Sequence, residues 1–129
     1  MAARRNVRAR FPERVVAAIH TSSYLKVRCG AEHRFTAIWS VVVDGRVFVR
    51  SWYMRPGGWY FSFLEQPLGA IQVGARELRV RAKPVRSSRV KTAVSKAYAE
   101  KYVTPASIKY VKGFARGKRR DTTTELAPR

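Results

Sequence analysis

Residues 40–52 read Ser40-Val41-Val42-Val43-Asp44-Gly45-Arg46-Val47-Phe48-Val49-Arg50-Ser51-Trp52. Asp44-Gly45 separates two β-branched, aromatic runs. An Asp-Gly pair tolerates the positive φ angles of a type I′ turn, so the spacing predicts a tight hairpin. The first arm is apolar on both faces, with Phe35, Ala37, Trp39, Val41 and Val43 on one and Ile38 and Val42 on the other. That pattern predicts a central strand covered on both sides. The second arm runs out at Arg50, Ser51 and Trp52, a cation, a hydroxyl and a large aromatic. Binding groups gather where strands end, so these three residues read as the floor and lip of a ligand site.

Upstream of the hairpin, residues 1–10 are basic and lack periodicity, which predicts a flexible arm. Pro12 suits a first helical turn, and Val15, Val16, Ala18 and Ile19 supply an apolar stripe for a short helix to about His20. Thr21-Ser22-Ser23 breaks it. Leu25, Val27 and Cys29 then alternate with Lys26 and Arg28, as a strand would, and residues 30–33 make a turn.

Downstream, Pro56-Gly57-Gly58 marks a loop, and residues 59–64 read as one or two helical turns ended by Pro67. Ile71 to Val73 is a short strand, and Gly74-Ala75 a turn. Residues 77–83 alternate most clearly, with Leu78, Val80 and Ala82 inward and Arg79, Arg81 and Lys83 outward. After Pro84 the period becomes helical: Val90, Ala93, Val94, Ala97, Tyr98 and Tyr102 form one stripe that Ser87 or Ser88 can cap. A further helix follows Thr104-Pro105, with Ile108, Val111 and Phe114 or Ala115 inward. Residues 117–120 read as a charged loop or tail, and residues 122–126 as a final strand.

The chain has 129 residues, which suits one domain over residues 11–129 behind the arm. Its 27 Lys and Arg against 8 Asp and Glu give a net charge of +19, which favours anionic partners and says nothing about fold. Cys29 is the only cysteine, so no intramolecular disulfide can form, and a reducing, cytoplasmic location is expected. No apolar run approaches the roughly 20 residues needed to cross a bilayer, so no membrane partner is expected. About six strands before Pro84, joined by short turns, with one helix before them, one inserted and others after, predict a small antiparallel β-barrel, α+β and mainly β.

Val43-Asp44-Gly45, Val47-Phe48-Val49-Arg50-Ser51-Trp52, Trp59-Tyr60, Gly69, Ile71, Val73 and Lys83-Pro84-Val85 together resemble the DUF2255 family of uncharacterised proteins. So do Ala97-Tyr98, Lys101-Tyr102, Thr123-Thr124, Leu126 and Pro128-Arg129. More distantly, a hairpin, a Trp-containing short helix and a following strand resemble the flavin-binding split β-barrels, pyridoxamine-phosphate-oxidase-like and deazaflavin-dependent reductases among them. That resemblance implies a split barrel, a homodimer, and a phosphorylated cofactor, FMN or the deazaflavin F420, in a cleft at the dimer interface. An oxidoreductase activity would follow. One departure is the run Arg79, Arg81 and Lys83, where members of the family are often acidic.

The residues offer their own case for such a cofactor. Arg50 can grip a phosphate bidentately, Ser51 can add a hydrogen bond, and Trp52 or Trp59, with Tyr60 beside it, can cover a flat ring. The plainer readings are an ion-paired Arg50, a packed Trp52, and Trp59, Tyr60, Phe61 and Phe63 in a core or dimer contact. No catalytic residue stands out. His20 and His33 lie far apart with no Cys or carboxylate at ligand spacing, so no metal site is expected. Cys29 on a strand reads as a small buried hydrophobe. The rival function is nucleic-acid binding, with Arg4, Arg5, Arg79, Arg81, Lys83, Lys118, Arg119 and Arg120 as candidate polyanion contacts. A third is a structural or interaction protein that keeps the barrel without a cofactor.

Overall fold

In the computed structural model, residues 9–129 are described. The basic arm, with Arg4 and Arg5, falls almost entirely outside them. Arg10, at its end, donates from its guanidinium to the carbonyl of Asp44 at the hairpin tip. Helix α1 (Glu13–Thr21) precedes strands β1 (Leu25–Cys29), β2 (Thr36–Ile38), β3 (Ser40–Val43) and β4 (Arg46–Val49). Helix α2 (Trp59–Glu65) is followed by β5 (Leu68–Val73) and β6 (Arg76–Pro84). Then come α3 (Ser88–Lys101), a 3₁₀ turn at Pro105–Ser107, α4 (Ile108–Phe114), α5 (Gly117–Asp121) and β7 (Thr124–Pro128). Asp44 and Gly45 have φ of 52° and 73°, the positive values a type I′ turn requires, and Val43 pairs with Arg46 across it.

The strands form one antiparallel sheet in the order β2-β1-β5-β6-β7-β4-β3. Its two end strands, β2 and β3, are separated in sequence by Trp39 alone. A chain that leaves one edge of a sheet and re-enters at the other within a residue must roll that sheet up, so the sheet is a nearly closed barrel. The apolar run at residues 35–43 is therefore two strands, and β3 ends the hydrogen-bonded order instead of sitting at its centre. It is still covered on both sides. Val42 and Ile38 pack on the barrel core, while Trp39, Val41 and Val43 pack on a second core beneath the helices.

Pleating divides the remaining strands in the same way. Val27, Val47, Val49, Ile71, Val80 and Leu126 fill the barrel, with Val15 and Ile19 of α1 packed among them. On the outer face Phe48 meets Val94 and Tyr98 of α3, Tyr102 just after it, and Phe114 of α4. The Ser87 hydroxyl accepts from the Val90 amide at the start of α3. The final strand, β7, enters the middle of the sheet between β6 and β4.

Two details of the C-terminal region differ from the sequence reading. Ile108 is 47% exposed, because the seven-residue α4 packs through its far end, where Phe114 is buried. Residues 117–121 form a helical turn instead of a loop. Gly117 adopts a left-handed φ of 63° ahead of it, and the hydroxyls of Thr122 and Thr123 donate to the Arg119 and Arg120 carbonyls that close it.

Gly69 on β5 faces the barrel where α2 covers it. A Cβ there would lie 2.2 Å from the Arg28 carbonyl oxygen and 2.7 Å from the Phe63 ring. The carbonyl belongs to the β1 ladder and cannot retreat. Gly69→Ala should therefore destabilise the fold by about 3 kcal/mol, near the upper end for overpacking. Urea denaturation measures this; a loss below about 0.5 kcal/mol, typical of a neutral surface site, would show that β1 and α2 yield.

Candidate functional site

The end of β4 is where the two cores meet. The backbone ladder between β4 and β7 stops at Val49 and Thr124. Side chains then continue it. The Arg50 Nε donates to Thr123 Oγ1 at 2.7 Å, and the Ser51 amide donates to Thr122 Oγ1 at 2.8 Å. Each threonine hydroxyl accepts on one side and donates to a carbonyl of α5 on the other.

Arg50 is 2% exposed. Besides Thr123, its Nη1 donates to Ser95 Oγ at 2.8 Å and to the Phe114 carbonyl at 2.7 Å, and its Nη2 donates to the Lys91 carbonyl at 2.7 Å. Phe114 is the last residue of α4, so the guanidinium sits on the negative end of that helix. One side chain thus ties β4 to β7, α3 and α4. Burial lowers its pKa to about 10, which leaves it charged at neutral pH. The charge is met mainly by carbonyl and hydroxyl dipoles.

Arg50, Ser51, Trp52 and Trp59 all line one cavity of about 620 Å³, which Trp39 and Phe114 also wall. Tyr60 is not among its lining residues. It packs edge-on against Trp59, with ring centroids 6.0 Å apart, and burial raises its phenol pKa. Trp52 is held firmly: the Arg119 guanidinium lies 3.7 Å from its ring centroid, and Arg119 Nε donates to the Trp52 carbonyl at 2.8 Å. Gly113 lets α4 approach, since a Cβ there would be 2.6 Å from the indole. Ser51 donates to the Tyr53 carbonyl at 2.7 Å, fixing the turn that leads out of the strand.

Trp52 and Tyr110 also line a second cavity, of about 730 Å³, together with Lys109, Arg116, Lys118 and Arg119. None of its lining residues is acidic. A third cavity, of about 720 Å³, shares Tyr24 and Trp39 with the first and holds Lys101. The Lys101 ammonium donates to the Ser40 carbonyl at 2.8 Å and the Ile19 carbonyl at 3.2 Å. Burial lowers its pKa to about 8. Beside it, the Tyr102 hydroxyl accepts from the Ser40 amide and donates to the Ser23 carbonyl.

The other candidate polyanion contacts are dispersed. Arg79, Arg81 and Lys83 stand on the outer face of β6. Arg120 faces Ser88 and Thr92 of α3. Lys109, Arg116 and Tyr110 were not singled out by the sequence, because they sit in segments that read as an amphipathic helix and its end. Only the placement of α4 beside Trp52 brings them to the cavity.

The sequence profile of a family described as an uncharacterised protein conserved in bacteria, DUF2255, matches residues 16–126. The chain belongs to the DUF2255 family. No curated protein matches it in sequence. Among solved structures, this DUF2255 chain is similar to a conserved hypothetical protein of Mycobacterium tuberculosis, with a TM-score of 0.62 and 13% identity over 96% of this chain and 85% of that one. It is also similar to a candidate pyridoxamine 5′-phosphate oxidase of Listeria innocua, with a TM-score of 0.58 and 9% identity over 90% and 91% of the two chains. At such identities the likeness is one of fold, an α+β split barrel. Among the described residues no helix is long and apolar enough to cross a membrane.

Two outcomes follow from this geometry. Arg50→Met takes the donor from four acceptors, two of them in fully buried bonds, and should cost about 3 kcal/mol of stability. Arg50→Lys should recover little of it, because one ammonium cannot reach acceptors on three elements. Urea unfolding of both variants measures this; a loss near 1 kcal/mol for either would mean the acceptors find water. For Lys101, the folded pKa of about 8 lies below the ordinary 10.5. Between those values the unfolded chain binds more protons, so this group's cost to folding shrinks as pH rises. The stability of wild type relative to Lys101→Met should therefore increase from pH 8 to pH 10.5. A difference independent of pH would show that the ammonium is as well solvated as in the unfolded chain.

Proposed function

We propose that this protein binds a phosphorylated flavin, FMN or the deazaflavin F420, across the two cavities that share Trp52 and Tyr110. The observation that supports this reading is their contrast. One cavity is walled by aromatic rings, and its neighbour is ringed by Lys109, Arg116, Lys118 and Arg119 without a carboxylate. A flat apolar ring joined to a phosphate needs that pairing. The aromatic cavity alone, about 620 Å³, is within the usual range for cofactor sites.

In this reading the four cations take the phosphate. Arg50, whose donors are met by protein, holds the wall they stand behind. Trp59, T-shaped to Tyr60 and Phe63 and packed against the barrel core, lines the aromatic cavity and would help cover the ring. Trp52 divides the two compartments. The bound flavin would supply hydride chemistry, and the protein would bind and orient it and exclude water.

A homodimer belongs to the same reading. Tyr24 and Tyr53, 59% and 66% exposed, both line the aromatic cavity. A second copy seated on them would cover the rim and turn an open cleft into an interface site.

The test is a fluorescence titration with FMN, riboflavin and F420, beside sedimentation equilibrium of the same sample. FMN should bind about tenfold or more tightly than riboflavin, as a charge-assisted phosphate contact of about 1.5–3 kcal/mol requires. Lys109→Ala with Lys118→Ala, both exposed, should reduce that preference while the fold is kept, and the protein should sediment as a dimer. Failure of both FMN and F420 to bind would overturn the proposal.

A further inference from the structure

We infer that the outer face of strands β1, β5 and β6 binds the phosphate backbone of single-stranded nucleic acid. The net charge of +19 is not accounted for by a cofactor pocket that uses four cations. The sheet shows where part of the remainder is organised. Val80 and Ala82 of β6 are buried in the barrel, so pleating places Arg79, Arg81 and Lys83 on its outside. Leu25, Val27 and Cys29 of β1 are buried likewise, which puts Lys26 and Arg28 outside too.

The register brings these rows together. Ala70 of β5 pairs with Arg28 on one side and Arg79 on the other. Leu68 of β5 pairs with Arg81, and Gln72 with Lys26. Arg79, Arg81 and Lys83 therefore form one basic row along β6, with alternate residues repeating at about 7 Å, and Lys26 stands about 10 Å away on β1 across two strand spacings. Between them the Arg28 guanidinium crosses β5, over buried Ala70, to Glu77. Arg129, whose amide donates to the Arg79 carbonyl, adds a cation at the end of β7. Two carboxylates share this side of the sheet: Glu77 pairs with Arg28, and Glu125 with Arg46. Arg79 and Arg81 are exposed, and among the described residues no carboxylate bridges either.

The chemistry of this face suits one phosphodiester strand, because its unpaired cations, Arg79 and Arg81, stand in a single row along β6 and not in two rows that could meet both backbones of a duplex. A second copy of the chain packed here would set like charges against each other. An anionic bilayer is a poorer fit, because surface binding of that kind seats exposed apolar side chains in the acyl boundary. The exposed large apolar residues, Tyr24, Tyr53, Met54, Leu64, Val103 and Ile108, lie on other segments.

Anisotropy titration of a short fluorescent oligo(dT) against the full chain, from low to physiological salt, tests this independently of the flavin reading. Wild type should lose affinity steeply with salt. Arg79→Ala with Arg81→Ala should lower the log–log slope by about 1.4, at about 0.7 per phosphate on a single strand, with an unchanged thermal melt. An unchanged slope would place the contacts elsewhere and overturn the inference. So would capture of anionic vesicles with no oligonucleotide binding.

Discussion

A single buried guanidinium ties the end of β4 to the elements around it. Arg50 reaches Thr123 on the approach to β7, Ser95 and the Lys91 carbonyl on α3, and the terminal carbonyl of α4. An arginine suits that task because its donors are fixed in a planar fork and its charge does not titrate away. Two of the four bonds, to Thr123 Oγ1 and to the Phe114 carbonyl, are fully buried. Removing the donor therefore costs more than any single contact suggests. The same side chain decides the shape of the cavity, since α4 carries Tyr110, Gly113 and Phe114 against Trp52 and Trp39.

Around that tie, three more polar or charged tips are received by backbone groups or by a partner of opposite charge. Lys101 joins the end of α1 to the start of β3 through two carbonyls. Tyr102 serves the Ser40 amide and the Ser23 carbonyl while its ring stacks on Trp39 at 4.0 Å. Glu125, 3% exposed in the middle of the sheet, takes a bidentate fork from Arg46. These contacts knit the second core, beneath α3 and α4, to the barrel beside it.

Much of this was legible in the sequence because strand and helix periods are local. The Asp44-Gly45 turn, the alternation of β6 and the stripe of α3 follow from neighbouring residues alone. The split at Trp39 was not legible, since Phe35 to Val43 keep one unbroken parity whether the chain runs straight or turns a barrel corner. What separates the two is pairing with β1 and β4, which is a long-range matter. The site was legible in part for the same reason. Arg50, Ser51 and Trp52 drew notice as a polar and aromatic strand end, and they do line a cavity with Trp59. The occupants of the Arg50 fork lie between 41 and 73 residues away, and nothing near Arg50 announces them. The Thr122-Thr123-Thr124 run reads as an ordinary β-former until its hydroxyls are seen to face inward.

Two kinds of arginine meet at one site: Arg50 is an internal tie, and Arg119, stacked on Trp52, is the proposed contact for a ligand's phosphate. Nitrogen-detected NMR of the arginine side chains, recorded as FMN is added, separates these roles directly. The Arg50 Nε–H should exchange slowly with water and hold its position throughout, while the Arg119 Nε–H shifts with FMN. An Arg50 signal that exchanges freely, or that moves with FMN while Arg119 stays still, would contradict the account.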